Sequence, residues 1–110
     1  MREIKFRAKN LSDNKWYYSD ELGYLFWQQL EHGDLDKKTL GQFTGLKDKK
    51  GKEIYEGDVV RWYFNRYPSA RKQKRVDEVK FIMGAFIPDV WRNQEVEVIG
   101  NVFQNKDLLK

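Results

Sequence analysis

The sequence predicts an all-β protein of short antiparallel strands in a small barrel-like or sandwich architecture, with little or no helix. Short runs of β-branched and aromatic residues recur roughly every 8 to 12 residues, a spacing typical of barrels and sandwiches. The length of 110 residues and an apolar content of 40% suffice for one modest core, so we expect a single domain over residues 1–110. Glycines allow sharp turns between the runs and stand at Gly45, Gly51, Gly57, Gly84 and Gly100.

A β-hairpin is predicted at the N-terminus. In "REIKFRAK" the apolar residues Ile4, Phe6 and Ala8 alternate with charged ones, which is the pattern of a strand with one buried face. Asp13 and Asn14 tolerate left-handed backbone, so "LSDNK" is expected to turn and "KWYYS" to return as the second strand.

The next segment, "LGYLFWQQLEHG", is ambiguous. Its leucines and Phe26 approximate helical spacing, whereas Gly23 and the three aromatic residues suit a strand or an irregular packed segment, and we favour the latter. "DLDKKTL" is predicted to hold one turn of helix. An acid at Asp34 or Asp36 would accept hydrogen bonds from the free amides at its start.

Turn-forming residues dominate "KDKKGKEIYEGD". Asp48 and Gly51 predict a tight hairpin between Leu46 and Ile54, with lysines at its tip that keep an exposed edge soluble. Gly57 predicts a sharp corner with positive φ. Three strand-like stretches follow, namely "DVVRWYF", "VDEVKFIMGAFI" and "EVEVIGNVF".

Catalytic and metal-dependent functions are disfavoured by composition. There is no cysteine and one histidine, His32, which excludes thiolate sites, His-rich metal sites and a conventional catalytic triad. Glu53, Glu56 and Asp58 form a carboxylate cluster of the kind that holds a divalent cation, but near neighbours along one strand and its turn alternate faces or face solvent. We therefore expect a non-enzymatic protein without catalytic residues, metal or cofactor.

The N-terminus "MREIKFRAKN" is charged and alternating, unlike a signal peptide, and the chain has no apolar run of membrane-spanning length. The sequence predicts a cytoplasmic protein that does not enter a membrane.

Charge is distributed unevenly along the chain. The net charge is +4, yet residues 13–36 hold six acids and one base, whereas residues 61–75 hold six bases and no acid. Pro68 and Ser69 predict that residues 66–75 form a projecting loop. Its cations would neutralise phosphates, and the aromatic residues beside it would stack on bases. The candidate nucleic-acid contacts are Arg66, Tyr67, Arg71, Lys72, Lys74 and Arg75.

Two other interpretations stay open. In one, the charges of the loop only keep it soluble. In the other, the protein is a self-assembling or host-protein-binding module in which the acidic region 13–36 meets the basic region 61–75 of another subunit.

The stretch "QFTGLKDKKGKEIYEGDVV" resembles the signature of the YopX-like proteins, which are known mainly from temperate phages and prophages of Gram-positive bacteria. "MREIKFRA" and "EVIGNVFQNKDLL" resemble the N-terminal and C-terminal blocks of that family. The resemblance implies an all-β fold of small barrel-like subunits in a phage-encoded protein. Our leading hypothesis is a non-enzymatic accessory or regulatory role, and nucleic-acid contact is its most concrete version. The resemblance supplies no catalytic residue, and its motifs do not include residues 63–91, where the basic stretch lies.

Overall fold

The computed structural model of the protein describes residues 4–65, 72–82, 85–87 and 96–105. Two short helices, α1 (Ser19–Leu22) and α2 (Tyr24–His32), and a 3-10 turn (Lys37–Thr39) interrupt a chain of mainly antiparallel strands. The all-β prediction is confirmed. The strands are β1 (Phe6–Lys9), β2 (Trp16–Tyr18), β3 (Gly41–Lys47), β4 (Glu53–Tyr55), β5 (Asp58–Asn65), β6 (Lys72–Glu78), β7 (Lys80–Ile82), β8 (Ala85–Ile87) and β9 (Glu97–Asn101).

The first sheet has the strand order β2-β1-β3-β4 and curls into a half-barrel. Its two edges are β2 and β4, which would lie about 14 Å apart if the sheet were flat, since neighbouring strands are about 4.8 Å apart. Yet the rings of Tyr18 on β2 and Tyr55 on β4 have centroids 5.8 Å apart. The sheet therefore encloses the side chains on its concave face.

The predicted N-terminal hairpin is confirmed, with β1 and β2 antiparallel and Asn14 at a positive φ of 60°. The prediction that only one face of strand β1 would be buried was wrong. The charged residues Lys5, Arg7 and Lys9 are buried, whereas Ile4 is exposed. The two faces of β1 are both covered, because the sheet curls around one of them and α2 packs on the other.

The segment predicted as strand or loop contains helix α2, so that prediction was wrong. Phe26 and Leu30, four residues apart, bury their side chains against Ala8 and Leu35 on the convex side of the first sheet. Gly33, in the left-handed conformation, ends the helix. The helical spacing of the apolar residues therefore prevailed over the β propensity of the aromatic ones.

The predicted helical turn is confirmed as the 3-10 turn that begins after Asp36. The Asp36 side chain accepts a hydrogen bond from the Lys38 amide at 3.0 Å. The turn is tied to β1 because the Lys9 amide donates to the Thr39 hydroxyl at 2.8 Å.

The predicted turn between β3 and β4 is confirmed and carries an additional contact. Asp48 Oδ1 accepts hydrogen bonds from the amides of Lys50 and Lys52, each at 2.9 Å. Asp48 Oδ2 accepts from the Val98 amide on β9 at 3.0 Å. One buried carboxylate thus shapes the turn and attaches it to the second sheet.

The second sheet has the order β6-β5-β9, and β7 and β8 pair separately. Val60 of β5 packs with Ile54 of β4 in a buried cluster. Val79, which follows β6, and Val96, which precedes β9, complete the cluster. The predicted projecting loop 66–75 needs correction, since β5 continues to Asn65 and β6 begins at Lys72. Residues 72–75 belong to a strand, and residues 66–71 lie outside the described part of the chain.

Gly57 forms the corner predicted between β4 and β5, with a φ of 94°. Its amide donates to the Val79 carbonyl and its carbonyl accepts from the Val102 amide, both at 2.9 Å. A Cβ atom at this position would lie 2.8 Å from a ring carbon of Phe103. The corner therefore requires glycine for its conformation and for its lack of a side chain.

We predict that Gly57→Ala destabilises the protein more than Gly51→Ala. Gly51 has a similar φ of 85° but open space around it, so its substitution costs only the conformational penalty of about 1–2 kcal/mol. Gly57→Ala adds the overlap with Phe103, a further cost of about 1–3 kcal/mol. Urea unfolding of both variants measures the difference, and equal losses of stability would contradict this view of the corner.

Candidate nucleic-acid interface

The described part of the predicted basic surface lies on strand β6. Lys72, Lys74 and Arg75 belong to this strand, and Lys74 and Arg75 are exposed. The other three predicted contacts, Arg66, Tyr67 and Arg71, fall outside the described residues.

Strand register separates Lys74 from Arg75. Lys74 lies opposite Tyr63, and Arg75 lies opposite Trp62, so the two pairs are on opposite faces of the hairpin. Arg75 is 3.5 Å from Asp77 in an ion pair. Trp62 donates through Nε1 to Asp77 at 2.8 Å and packs against the core. Trp62 is therefore held by the fold and is not available to stack on a base.

The face that carries Tyr63 and Lys74 also carries Arg61, which is two residues before Tyr63 on β5. Arg61 Nη2 lies 2.6 Å from Glu97 Oε1 on β9. Lys50 Nζ lies 2.6 Å from Glu97 Oε2, and Lys49 Nζ lies 3.9 Å from Oε1. Three cations therefore lie within ion-pair distance of the Glu97 carboxylate. The Asp48 carboxylate also acts on Lys50 electrostatically, and positive charge remains in excess.

Both sheets contribute to this arrangement. Arg61 and Glu97 are opposite each other on the paired strands β5 and β9. The turn between β3 and β4 reaches them because the Lys49 amide donates to the Val96 carbonyl at 2.9 Å and Asp48 binds the Val98 amide. We call the surface formed by Lys49, Lys50, Arg61, Tyr63 and Lys74 the basic face.

Sequence reasoning did not find most of the basic face. Lys49 and Lys50 were interpreted as lysines that only keep the turn soluble, and Arg61 was counted in the basic stretch without a role. The residue that could have indicated this surface in the sequence is Glu97, which stands between Val96 and Val98. Side chains alternate along a strand, so a charged residue between two valines of the core lies on the side of β9 that faces away from it.

The shared carboxylate is electrostatically stabilised in its charged form. Hydrogen bonds from Lys50 and Arg61 lower the pKa of Glu97 to about 2. In return, the hydrogen bond and the negative charge of Glu97 raise the pKa of Lys50. Glu97 is therefore ionised throughout the physiological pH range and holds the turn beside β5.

We predict that the stabilisation contributed by Glu97 is lost in acid. Its pKa in the folded state is below its ordinary value of 4.5, so the contribution is complete above about pH 4.5 and disappears as the pH falls towards about 2. Urea unfolding of wild type and Glu97→Gln across this range measures it. The stability difference between the two proteins is expected to shrink as Glu97 is protonated, and a constant difference would contradict the assignment.

The carboxylates weighed as a cation site do not converge. Glu53 binds Lys5, Asp58 binds Arg7, and Glu56 accepts from the Gln42 amide at 3.4 Å. In the described ranges no group of His, Asp and Glu side chains could hold a metal ion.

Within the same ranges, neither helix has the length and apolarity required to span a bilayer.

Comparison with known proteins agrees with this fold. A crystal structure of protein EF1440 from Enterococcus faecalis superimposes with a TM-score of 0.59 at 20% identity, over 100% of both chains, a likeness that concerns the fold. A search of curated proteins found no match. The family described as YopX protein matches residues 5–110. The chain belongs to the YopX family.

Proposed function

We propose that the protein is a non-enzymatic accessory or regulatory protein that contacts the phosphate backbone of nucleic acid through its basic face. The observation that supports the proposal is the cluster of Lys49, Lys50 and Arg61 around the single carboxylate of Glu97. Lys74 adds a further exposed cation on the same face. Phosphate groups are the natural counter-ions for such an excess, and their binding releases condensed cations.

The geometry favours contact with phosphates over the reading of bases. Tyr63 is the one aromatic residue of the basic face, and it is half-buried. Base recognition requires exposed aromatic rings or side chains that enter a groove. We therefore expect binding that depends strongly on salt and weakly on sequence.

The setting we propose is the cytoplasm of a bacterial host, with the protein encoded by a phage or prophage. The support is the similarity of its sequence blocks to YopX-like phage proteins. In this setting a small protein that binds phosphate backbones would act as an accessory to replication, packaging or transcription without chemistry of its own.

We predict that replacing Lys50, Arg61 and Lys74 together by alanine weakens binding to nucleic acid. Fluorescence anisotropy with labelled single-stranded and double-stranded DNA and RNA, at two salt concentrations, measures affinity and salt dependence. Loss of three phosphate contacts is expected to reduce the slope of log K against log salt by about 3 on duplex DNA. The matched control removes three exposed lysines outside the basic face, Lys15, Lys37 and Lys80.

The substitution Glu97→Gln is expected to strengthen nucleic-acid binding, whereas the triple alanine variant is expected to weaken it. The amide keeps the shape of the side chain and removes the negative charge that competes with phosphate, so we expect tighter binding by a few-fold. Binding that weakens equally in the triple variant and its control would oppose the proposal. So would binding that is indifferent to Glu97, or no binding by wild type at low salt.

Self-association is the second candidate function, favoured by an exposed apolar patch on α2. Tyr24 and Leu25 are 77% and 47% exposed, and Glu21 and Glu31 lie exposed nearby. Other acids of residues 13–36 are already used within the chain, since Asp13 accepts from Tyr17 and Asp36 from the Lys38 amide. The acidic surface available to a partner is therefore smaller than the sequence suggested.

Light scattering after gel filtration distinguishes the two functions. If α2 forms an interface between subunits, the double change of Tyr24 and Leu25 to serine reduces the measured mass and leaves nucleic-acid affinity unchanged. A monomeric wild-type protein would exclude a homo-oligomer and direct the search to a host protein.

A further inference from the structure

Strand β1 and the residue before it place three cations on the concave face of the first sheet. Lys5, Arg7 and Lys9 are alternate residues, so their side chains emerge on the same side. They are only 7%, 4% and 7% exposed. A buried cation costs free energy unless a charge or several hydrogen-bond acceptors compensate it.

Two of the three cations have a carboxylate partner inside the protein. Lys5 pairs with Glu53, and Arg7 Nη2 lies 2.5 Å from Asp58 Oδ1. Lys9 has no carboxylate within ion-pair distance anywhere in the part of the chain that the structure describes. Its contact is with the Trp16 ring, whose centroid is 5.8 Å from Nζ, close to the outer limit of a cation–π interaction.

Lys9 lines a pocket of about 280 Å³. The pocket lies between the end of β1, the turn that follows it, the 3-10 turn and Phe103. Asn10 and Asn14 also line the pocket, and the Asn10 side-chain oxygen accepts from the Ser12 and Asp13 amides. Lys38 adds a second, exposed cation. Among the lining residues that the structure describes, Asp36 is the one acid, and its Oδ1 accepts a hydrogen bond from the Lys38 amide. The described part of the lining therefore carries a net positive charge.

We propose that this pocket binds the anionic group of a small organic molecule, a carboxylate or a phosphate ester, with the Lys9 ammonium as its charge partner. The anion would occupy for Lys9 the position that Glu53 and Asp58 occupy for Lys5 and Arg7. Phe103 provides an apolar wall for the uncharged part of the ligand. The site is separate from the basic face, since it shares no residue with it.

The pocket is tested by isothermal titration calorimetry at constant ionic strength, with benzoate and phenyl phosphate as probes. The two probes share a ring and differ in their anionic group, so they distinguish carboxylate from phosphate recognition. Benzamide is the uncharged control. Wild type is expected to bind at least one of the anions and not benzamide.

Lys9→Met retains the length of the side chain and removes the charge. We expect it to weaken binding of the preferred anion by about tenfold or more, while Lys15→Met, at an exposed lysine of the same hairpin, leaves binding unchanged. Lys9→Met should also melt at or above the temperature of wild type without ligand, because it removes an uncompensated buried charge. That measurement shows whether the variant is folded.

The proposal would be overturned by equal binding of the anions to wild type and folded Lys9→Met, or by absence of binding to wild type at millimolar probe. It is independent of the nucleic-acid proposal. The variant lacking Lys50, Arg61 and Lys74 should still bind the small anion, and Lys9→Met should still bind DNA.

Discussion

The ion pair between Arg7 and Asp58 is the constraint on which the arrangement of the two sheets depends. It joins β1 of the half-barrel to the start of β5, 51 residues later in the chain. The guanidinium lies over the rings of Trp16 and Tyr55, at 4.1 and 4.6 Å from their centroids. Burial raises the pKa of Asp58, against the opposing effects of Arg7 and the Tyr55 amide. Removing one partner of such a pair typically costs about 3–5 kcal/mol, a large part of the stability of a small domain.

The position of β5 in turn determines where the basic face forms. Asp58 begins β5, and β9 pairs with β5 through Arg61 and Glu97. Asp48 then ties the turn of the first sheet to β9. The proposed binding surface is thus a product of the contact between the two sheets, and a change in that contact would separate Lys49 and Lys50 from Arg61 and Lys74.

Local chemistry explains what the sequence could predict. The turns at Asp36, Asp48, Gly51 and Gly57 depend on hydrogen bonds and backbone conformation within a few residues, so they were predicted correctly. The distant contacts of Asp48 with Val98 and of Gly57 with Phe103 were not predicted. The basic face and the buried cations depend on partners far apart in the chain, such as Lys50 and Glu97, and no local pattern indicates which distant acid a lysine will meet. The segment of helix α2 was wrongly predicted as strand or loop, because the exposure of its aromatic residues is decided by tertiary packing. Alternation in β1 indicated two faces but could not show that both would be covered.

Nucleic-acid binding by the basic face is tested most directly by amide proton–nitrogen correlation spectra of the isotope-labelled protein during titration with a single-stranded DNA oligonucleotide. We expect the signals of Lys49, Lys50, Arg61 and Lys74 to shift together, while those of α2 and Lys9 stay in place. Shifts confined to α2, or an unperturbed basic face, would show that DNA does not bind there.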